Sequence, residues 1–288
     1  MPSMSSPAAR PGTAQEEPAW SVPGLREPRY SQSLERGLAI LSCFTPGRPV
    51  LGIADIADEL GMSRSTTHRY VITLVALGYL EQGASRKYRL GLRVTDLGMS
   101  ALNATGLREH AHQYLEELRQ RTSYTASLAV LDGSEILYVD RARSRRRSQS
   151  RLDIGLQPGS RLHAHCTALG KMLLASLPER ELRMQLASMK LTRFAAHTLT
   201  GKRALREQLD RTRAQGFAVN DGELEDGSVA IAVPVRNEAG EVIAAANLSA
   251  QSSMISLPEM TDALLPHLTA AADGISARLG FRRADELS

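Results

Sequence analysis

Apolar positions recur along the chain at two spacings, and the places where one gives way to the other divide it. From Ser33 onward, Leu34, Leu38, Ala39 and Leu41 follow a helical period until Pro46 and Gly47 stop the run, which predicts a helix over 32–44. Ile53, Ile56, Ala57 and Leu60 make one face of a second helix over 53–60, opposite Asp55, Asp58 and Glu59, and Gly61 ends it. Ser63 stands where an N-cap belongs, so a third helix starts at Arg64 and runs to about Leu77. Thr67, Val71, Leu74 and Val75 form its inward stripe, leaving Arg64, Ser65, His68, Arg69 and Ile72 on the opposite side. Gly78 stops it, and Tyr79–Gln82 and Lys87–Leu90 flank Gly83-Ala84-Ser85, the loop chemistry of a β-hairpin. Three helices and a hairpin in this order make a winged helix-turn-helix.

Residues 92–105 read as a helical connector carrying Leu92, Leu97 and Leu102, and Gly106 marks the next boundary. A helix follows from Leu107 to about Arg121, with Leu107, Ala111, Leu115 and Leu118 in register. TASLAVL and EILYVD then bracket Asp132-Gly133-Ser134, a hairpin signal. Helices are predicted over 166–177, over 178–188 with Pro178 in the first turn, and over 201–215 closed by Gly216. A second hairpin pairs SVAIAVPV with EVIAAANLS around Asn237-Glu238-Ala239-Gly240, and a last helix covers 258–279. Strands with flanking helices predict an α+β second domain. Met1 to Pro28, rich in Pro, Ser and Ala and holding the single Trp20, reads as a disordered tail. The division is therefore a tail over 1–30, a winged helix over 31–91, a linker helix over 92–106, a second domain over 107–280 and a short tail over 281–288.

Composition narrows the class. At 288 residues the chain exceeds the ~100–200 of a typical domain, and 42% hydrophobic content can fill two cores. Apolar runs such as Val242 to Ala246 fall far short of the ~18–20 residues of a membrane span, so no membrane helix is expected. The first thirty residues hold six of the thirteen prolines and no apolar core after a basic start, which is not the make-up of a secretory signal. Cys43 and Cys166 lie far apart without C-x-x-C spacing, as expected in a reducing compartment, and the cytoplasm is the expected location. The sequence pI of about 9.3 permits nucleic-acid binding. Yet residues 31–106 carry eight Lys+Arg against six Asp+Glu, and residues 107–288 carry 24 against 22, so net charge does not single out either half.

Local geometry does. Ala57 precedes Gly61 by four, letting two helices approach and turn tightly. Such a pair lays the second helix in the major groove of DNA while the first crosses the backbone. Arg64, Ser65, Thr66, His68 and Arg69 are then the candidate base and phosphate contacts, with Arg86 and Lys87 of the wing on phosphates. The competing reading is a small helical module used for protein contacts.

SLERGLAILSCF (33–44), IADIADELGMSRSTTHRYVITLVALGYLEQ (53–82) and KYRLGLRVTDLG (87–98) resemble the winged helix-turn-helix of the IclR family of bacterial regulators. The resemblance continues through LHAHCTALGKMLLASL (162–177), GFAVNDGELEDGSVAIAVPV (216–235) and GEVIAAANLSA (240–250), covering residues 31–280. It implies a repressor or activator that binds a palindromic site in double-stranded promoter DNA as a homodimer or dimer of dimers. It also implies a GAF-like α/β domain holding a small effector, with no cofactor and no catalytic residues. The SRLHAHCTALGKMLLA stretch and the arginine-rich region before it are similar to regulators of the protocatechuate and β-ketoadipate routes, implying an aromatic acid or dicarboxylate effector. By matching motif positions, the implied effector contacts are Ala168, Leu169, Asn220, Ala230, Asn247 and Ser249. Ala230 departs from the polar or thiol side chain that relatives can carry there. Asn247 and Ser249, two apart in a strand, face the same way and could share a ligand, or form the solvated face of an edge strand.

Three further constellations stand out. Arg141, Arg143, Arg145, Arg146, Arg147 and Arg151 put six guanidinium groups in eleven residues: a solvated loop, a grip on a carboxylate effector, or a contact to DNA or another subunit. His163, His165 and Cys166 admit a metal or redox signal, which needs a further ligand such as His197 or Asp221, and less readily a nucleophile, since no spacing supplies an oriented base. Lys171 follows Gly170 but precedes Met172, so it does not complete a Walker loop. An enzyme built on the second domain is the rival from another class.

Overall fold

The computed structural model describes residues 30–45, 47–83, 85–103, 106–145 and 155–282. Apart from Tyr30, the expected N-terminal tail lies outside the described residues, as do residues 283–288 of the expected C-terminal tail, Ala84 of the wing and Arg146, Arg147 and Arg151. The chain separates into two compact units, divided between Met99 and Ser100.

In the first unit, α1 (Gln32–Ser42), α2 (Ile53–Leu60) and α3 (Arg64–Ala76) precede a two-stranded antiparallel sheet of β1 (Leu80–Gln82) and β2 (Tyr88–Leu90). Ile40, Ile56, Leu60, Val71, Leu74 and Leu80 close its core. Val75, expected in the buried stripe of α3, is half-exposed, so Thr67, Val71 and Leu74 alone make that stripe. α4 (Arg93–Asn103) carries the chain from this unit into the second.

The second unit begins with α5 (Leu107–Thr122) and then β3 (Thr125–Asp132), β4 (Glu135–Ala142) and β5 (Arg161–His163). A single 3-10 turn over Ala164–Cys166 leads to α6 (Ala168–Ser176), so the helix expected from 166 starts later, capped by Thr167. α7 (Glu179–Ser188), α8 (Lys202–Gln215), β6 (Ala218–Asp221), β7 (Ser228–Arg236), β8 (Val242–Gln251) and α9 (Leu257–Arg278) complete it. Two of these strands, β5 and β6, are absent from the reading of the sequence, because three or four residues are too few to show a period.

The strands form one antiparallel sheet in the order β5-β4-β3-β8-β7-β6. Alternation splits its two faces between two cores. Ala126, Leu128, Ile231, Val233, Ala246 and Leu248 face α5 and α9. Ala129, Ala230, Ala232 and Ala245 face α6 and, beyond it, α7 and α8. Gly274 of α9 lies so close to the Tyr114 ring of α5 that a Cβ there would overlap it, which is why those helices pack tightly across the first face. The second face carries these four alanines where α6 crosses it.

Candidate functional site

The helix-turn-helix is set by backbone chemistry. Gly61 takes φ +63, a conformation only glycine adopts freely, and Met62 N donates to Ala57 O at 2.9 Å to close the turn. Ser63 Oγ accepts from Thr66 N at 3.2 Å, satisfying a free donor at the start of α3. This capping aims the first turn outward: Arg64, Ser65, His68 and Arg69 are exposed and Thr66 is half-buried, its hydroxyl accepting from Ser63 Oγ at 2.8 Å. At the wing, Gly83 N donates to Lys87 O at 2.8 Å, and Arg86 and Lys87 are exposed at the tip, Arg86 at φ +57.

Seven of the eight cations of this unit, all but Arg36, fall into two groups. Arg48 pairs with Glu59 at 2.6 Å, Arg89 with Glu81 at 2.8 Å, and Arg93 donates to Leu77 O at 2.9 Å. Those three serve the fold. Among the described residues, Arg64, Arg69, Arg86 and Lys87 have no ion-pair partner, so their charge is available to a polyanion.

In the second unit, all six positions implied as effector contacts border one cleft. Ala168 and Leu169 come from the first turn of α6; Asn220, Ala230, Asn247 and Ser249 come from β6, β7 and β8. Register explains the grouping. Thr125, Ser249, Ala230 and Asn220 are directly opposite one another across β3, β8, β7 and β6, and so form one row on the face toward α6. Asn247 is one position along in the neighbouring row, opposite Ser127 and Ala232. The edge-strand alternative fails: β8 lies between β3 and β7, and Asn247 is only 5% exposed. A cleft walled by aliphatic and tyrosine side chains with a few polar groups is suited in chemistry to a small organic ligand.

Sequence reading missed Thr125, Tyr124 and Tyr138 of the lining and left Arg141 undistinguished among its neighbours. The structure separates it: Arg141 borders the cleft, its Nη1 donating to Ser127 Oγ at 3.3 Å and its guanidinium carbon 5.7 Å from the centre of the Tyr138 ring.

Behind the cleft, Lys171 is fully buried and donates to Glu223 Oε1. Burial lowers the Lys171 pKa against the pull of Glu223, and burial raises that of Glu223 against the pull of Lys171. The His163, His165 and Cys166 trio does not converge. His163 stacks on Phe194 at 4.9 Å, His165 Nε2 lies 3.0 Å from Thr192 O, and Cys166 Sγ faces His163 O at 3.6 Å. Among the described residues, no three His, Cys, Asp or Glu side chains are placed to share a metal ion.

Two family models match: the IclR helix-turn-helix domain over residues 33–84, and the C-terminal domain of the bacterial transcriptional regulator IclR over residues 99–277. The chain belongs to the IclR family. It is 36% identical to the HTH-type transcriptional regulator XynR of Escherichia coli, over 87% of this chain and 98% of that protein. It is 33% identical to the Pca regulon regulatory protein of Pseudomonas putida, over 95% and 94%. Among solved structures, an IclR homolog from Microbacterium hydrocarbonoxydans complexed with 4-hydroxybenzoate superposes with a TM-score of 0.75 at 30% identity, covering 86% of this chain and 98% of that one. The IclR-family chain is thus a DNA-binding transcriptional regulator and not an enzyme, and its fold is the α+β arrangement of those relatives.

Proposed function

We propose that this regulator binds a small carboxylate, an aromatic acid or dicarboxylate of the protocatechuate and β-ketoadipate routes, in the cleft of its second unit, and that binding changes its affinity for an operator. The observation that carries the reading is the meeting of six motif-matched positions around one cleft whose lining includes a guanidinium. The 4-hydroxybenzoate complex of one relative and the Pca regulon named for another point to the same ligand class.

On the DNA side, Arg64, Ser65, Thr66, His68 and Arg69 enter the major groove and Arg86 and Lys87 hold phosphates. The chain acts as a homodimer or dimer of dimers, as the family resemblance implies, so that two α3 helices meet a pseudo-palindrome. Work on chromosomal DNA places it in the cytoplasm. Ligand binding biases the arrangement of the second domains, and α4 passes the bias to the winged helices. A coupling of ~1–3 kcal/mol changes operator affinity ~5–150-fold without any chemistry on the ligand.

A thermal-shift screen of the purified chain against protocatechuate, 4-hydroxybenzoate, β-ketoadipate and related acids tests the ligand class. A ligand at ~100 times its Kd stabilises by ~2.7 kcal/mol. A rise in Tm with at least one of these acids is expected; a flat response to all of them contradicts the reading.

A further inference from the structure

Two neighbouring residues of β4 face different parts of the second unit. Arg141 is opposite Ser127 of β3 and borders the cleft. Asp140 is opposite Leu128, on the side that packs against α5 and α9, and is 2% exposed. A carboxylate withdrawn from water needs donors in place of its hydration. Asp140 has them on both sides. Its Oδ1 accepts from Arg141 N at 2.9 Å, its Oδ2 lies 2.8 Å from His112 Nδ1, and Arg108 Nε stands 3.8 Å from Oδ1. An ionised carboxylate only accepts, so Nδ1 of His112 carries the proton in this contact.

Arg108 and His112 both belong to α5 and are four apart, so they share one face about 6 Å from each other along the axis. His112 is within hydrogen-bond distance of the carboxylate and Arg108 is not, 3.8 Å being too long for such a bond. A slide of about 1 Å between β4 and α5 would bring Arg108 into bonding range at the expense of His112. The buried charge thus has two discrete partners one helical turn apart, and an element with two discrete arrangements converts a small movement into a switch. Each side of this contact continues into a functional part. On the strand side, the N–H that Asp140 holds is that of Arg141, a lining residue of the cleft. On the helix side, Arg108 is the second residue of α5, which follows α4 after Gly106.

We infer that Asp140 is the positioning residue that couples the cleft to the linker helix: a ligand that moves the Arg141 segment of β4 transfers the Asp140 carboxylate between His112 and Arg108, and so moves the start of α5. This inference rests on the reading that ligand binding changes operator affinity, and adds to it the contact that transmits the change. No residue in the contact needs to touch either the ligand or the DNA.

The test is the operator Kd of the full chain with and without saturating 4-hydroxybenzoate, compared for wild type, H112A, R108A and H112N. The side chains of His112 and Arg108 are 59% and 32% exposed, so neither alanine empties the core. H112A leaves the carboxylate only Arg108, and R108A leaves it only His112, so each variant holds one arrangement. One of them should therefore show, without ligand, the operator Kd that wild type reaches only with it; the other should keep the ligand-free Kd when ligand is present. In both, the wild-type ratio of ~5–150-fold falls to about one. H112N, whose amide can donate near the place of Nδ1, should regain most of the ratio that H112A loses. A merely structural contact would not send the two alanine variants to opposite ends. If either alanine variant keeps the full wild-type ratio, or both arrive at the same operator Kd, Asp140 is not the switch while the ligand-responsive reading stands. If wild type itself shows a ratio of one, that reading falls and this inference with it.

Discussion

Lys171 on α6 donates to Glu223 in the loop between β6 and β7, an ion pair from which solvent is excluded. The loop is held further by Thr198 Oγ1 donating to Glu223 O at 2.6 Å and by Glu223 N donating to Asn220 Oδ1 at 3.2 Å. The next two residues, Leu224 and Glu225, border the cleft. The pair therefore joins the helix at one wall of the cleft to the loop at another.

Removing one partner strands the other charge in the interior. K171M is expected to cost ~3–5 kcal/mol, and K171M/E223L distinctly less, because a buried pair replaced by apolar groups is often neutral. Urea unfolding of the three proteins measures this. Equal losses for the single and double variants would mean that the pair is not a buried unit.

Gly170 tests how closely α6 approaches the preceding turn. A Cβ there would fall on the carbonyl oxygen and Cα of Ala164, which are backbone and cannot rotate away. G170A should destabilise the second unit by roughly 1–3 kcal/mol, the usual cost of overpacking, although alanine is the better helix former. A melting temperature at or above that of wild type would contradict this packing.

Burial keeps both thiols neutral. It pushes Cys43 up to about 11, with Glu59 adding to the effect, and Cys166 up to about 12, with Glu223 adding there. Folded pKa values above the ordinary 9.0 mean that these groups favour the fold most fully below that pH, and that the contribution fades as pH rises through about 11 and 12. A thiol-specific reagent at pH 8 should label neither cysteine until denaturant is added. Fast labelling of the native protein would show that the sites open.

The two sets of DNA contacts should respond differently to mutation. R69A is expected to lose ~1–3 kcal/mol on the operator and to relax base preference at one position. K87A should weaken binding to all duplexes alike and reduce the salt dependence by about one counterion. Affinities on operator and scrambled duplex at several salt concentrations separate the two. Equal effects of R69A on both duplexes would take Arg69 off the bases.

The winged helix was legible in the sequence almost residue by residue, since Gly61, Ser63 and the stripe of α3 are local signals. The helices of the second unit were legible too, because Leu107, Ala111, Leu115 and Leu118 repeat over four turns of α5. The sheet order was not. β3 pairs with β8, more than a hundred residues away, and nothing local records such a pairing. The cleft was partly visible: matching positions brought Asn220, Ala230, Asn247 and Ser249 into view, while Thr125 and Tyr138 on the first hairpin needed the register to show that they face the same space. Arg141 could not be told from the arginines after it, because what sets it apart is its position opposite Ser127.

The central claim is that occupancy of the cleft alters DNA binding. Fluorescence anisotropy of the regulator on its own upstream promoter duplex, at one fixed salt concentration with and without saturating 4-hydroxybenzoate, addresses it directly. The account predicts a change in Kd of about 5–150-fold in either direction, abolished on R64A/R69A by loss of specific binding. Tight, sequence-specific binding that is the same with and without a ligand shown to occupy the cleft would contradict it.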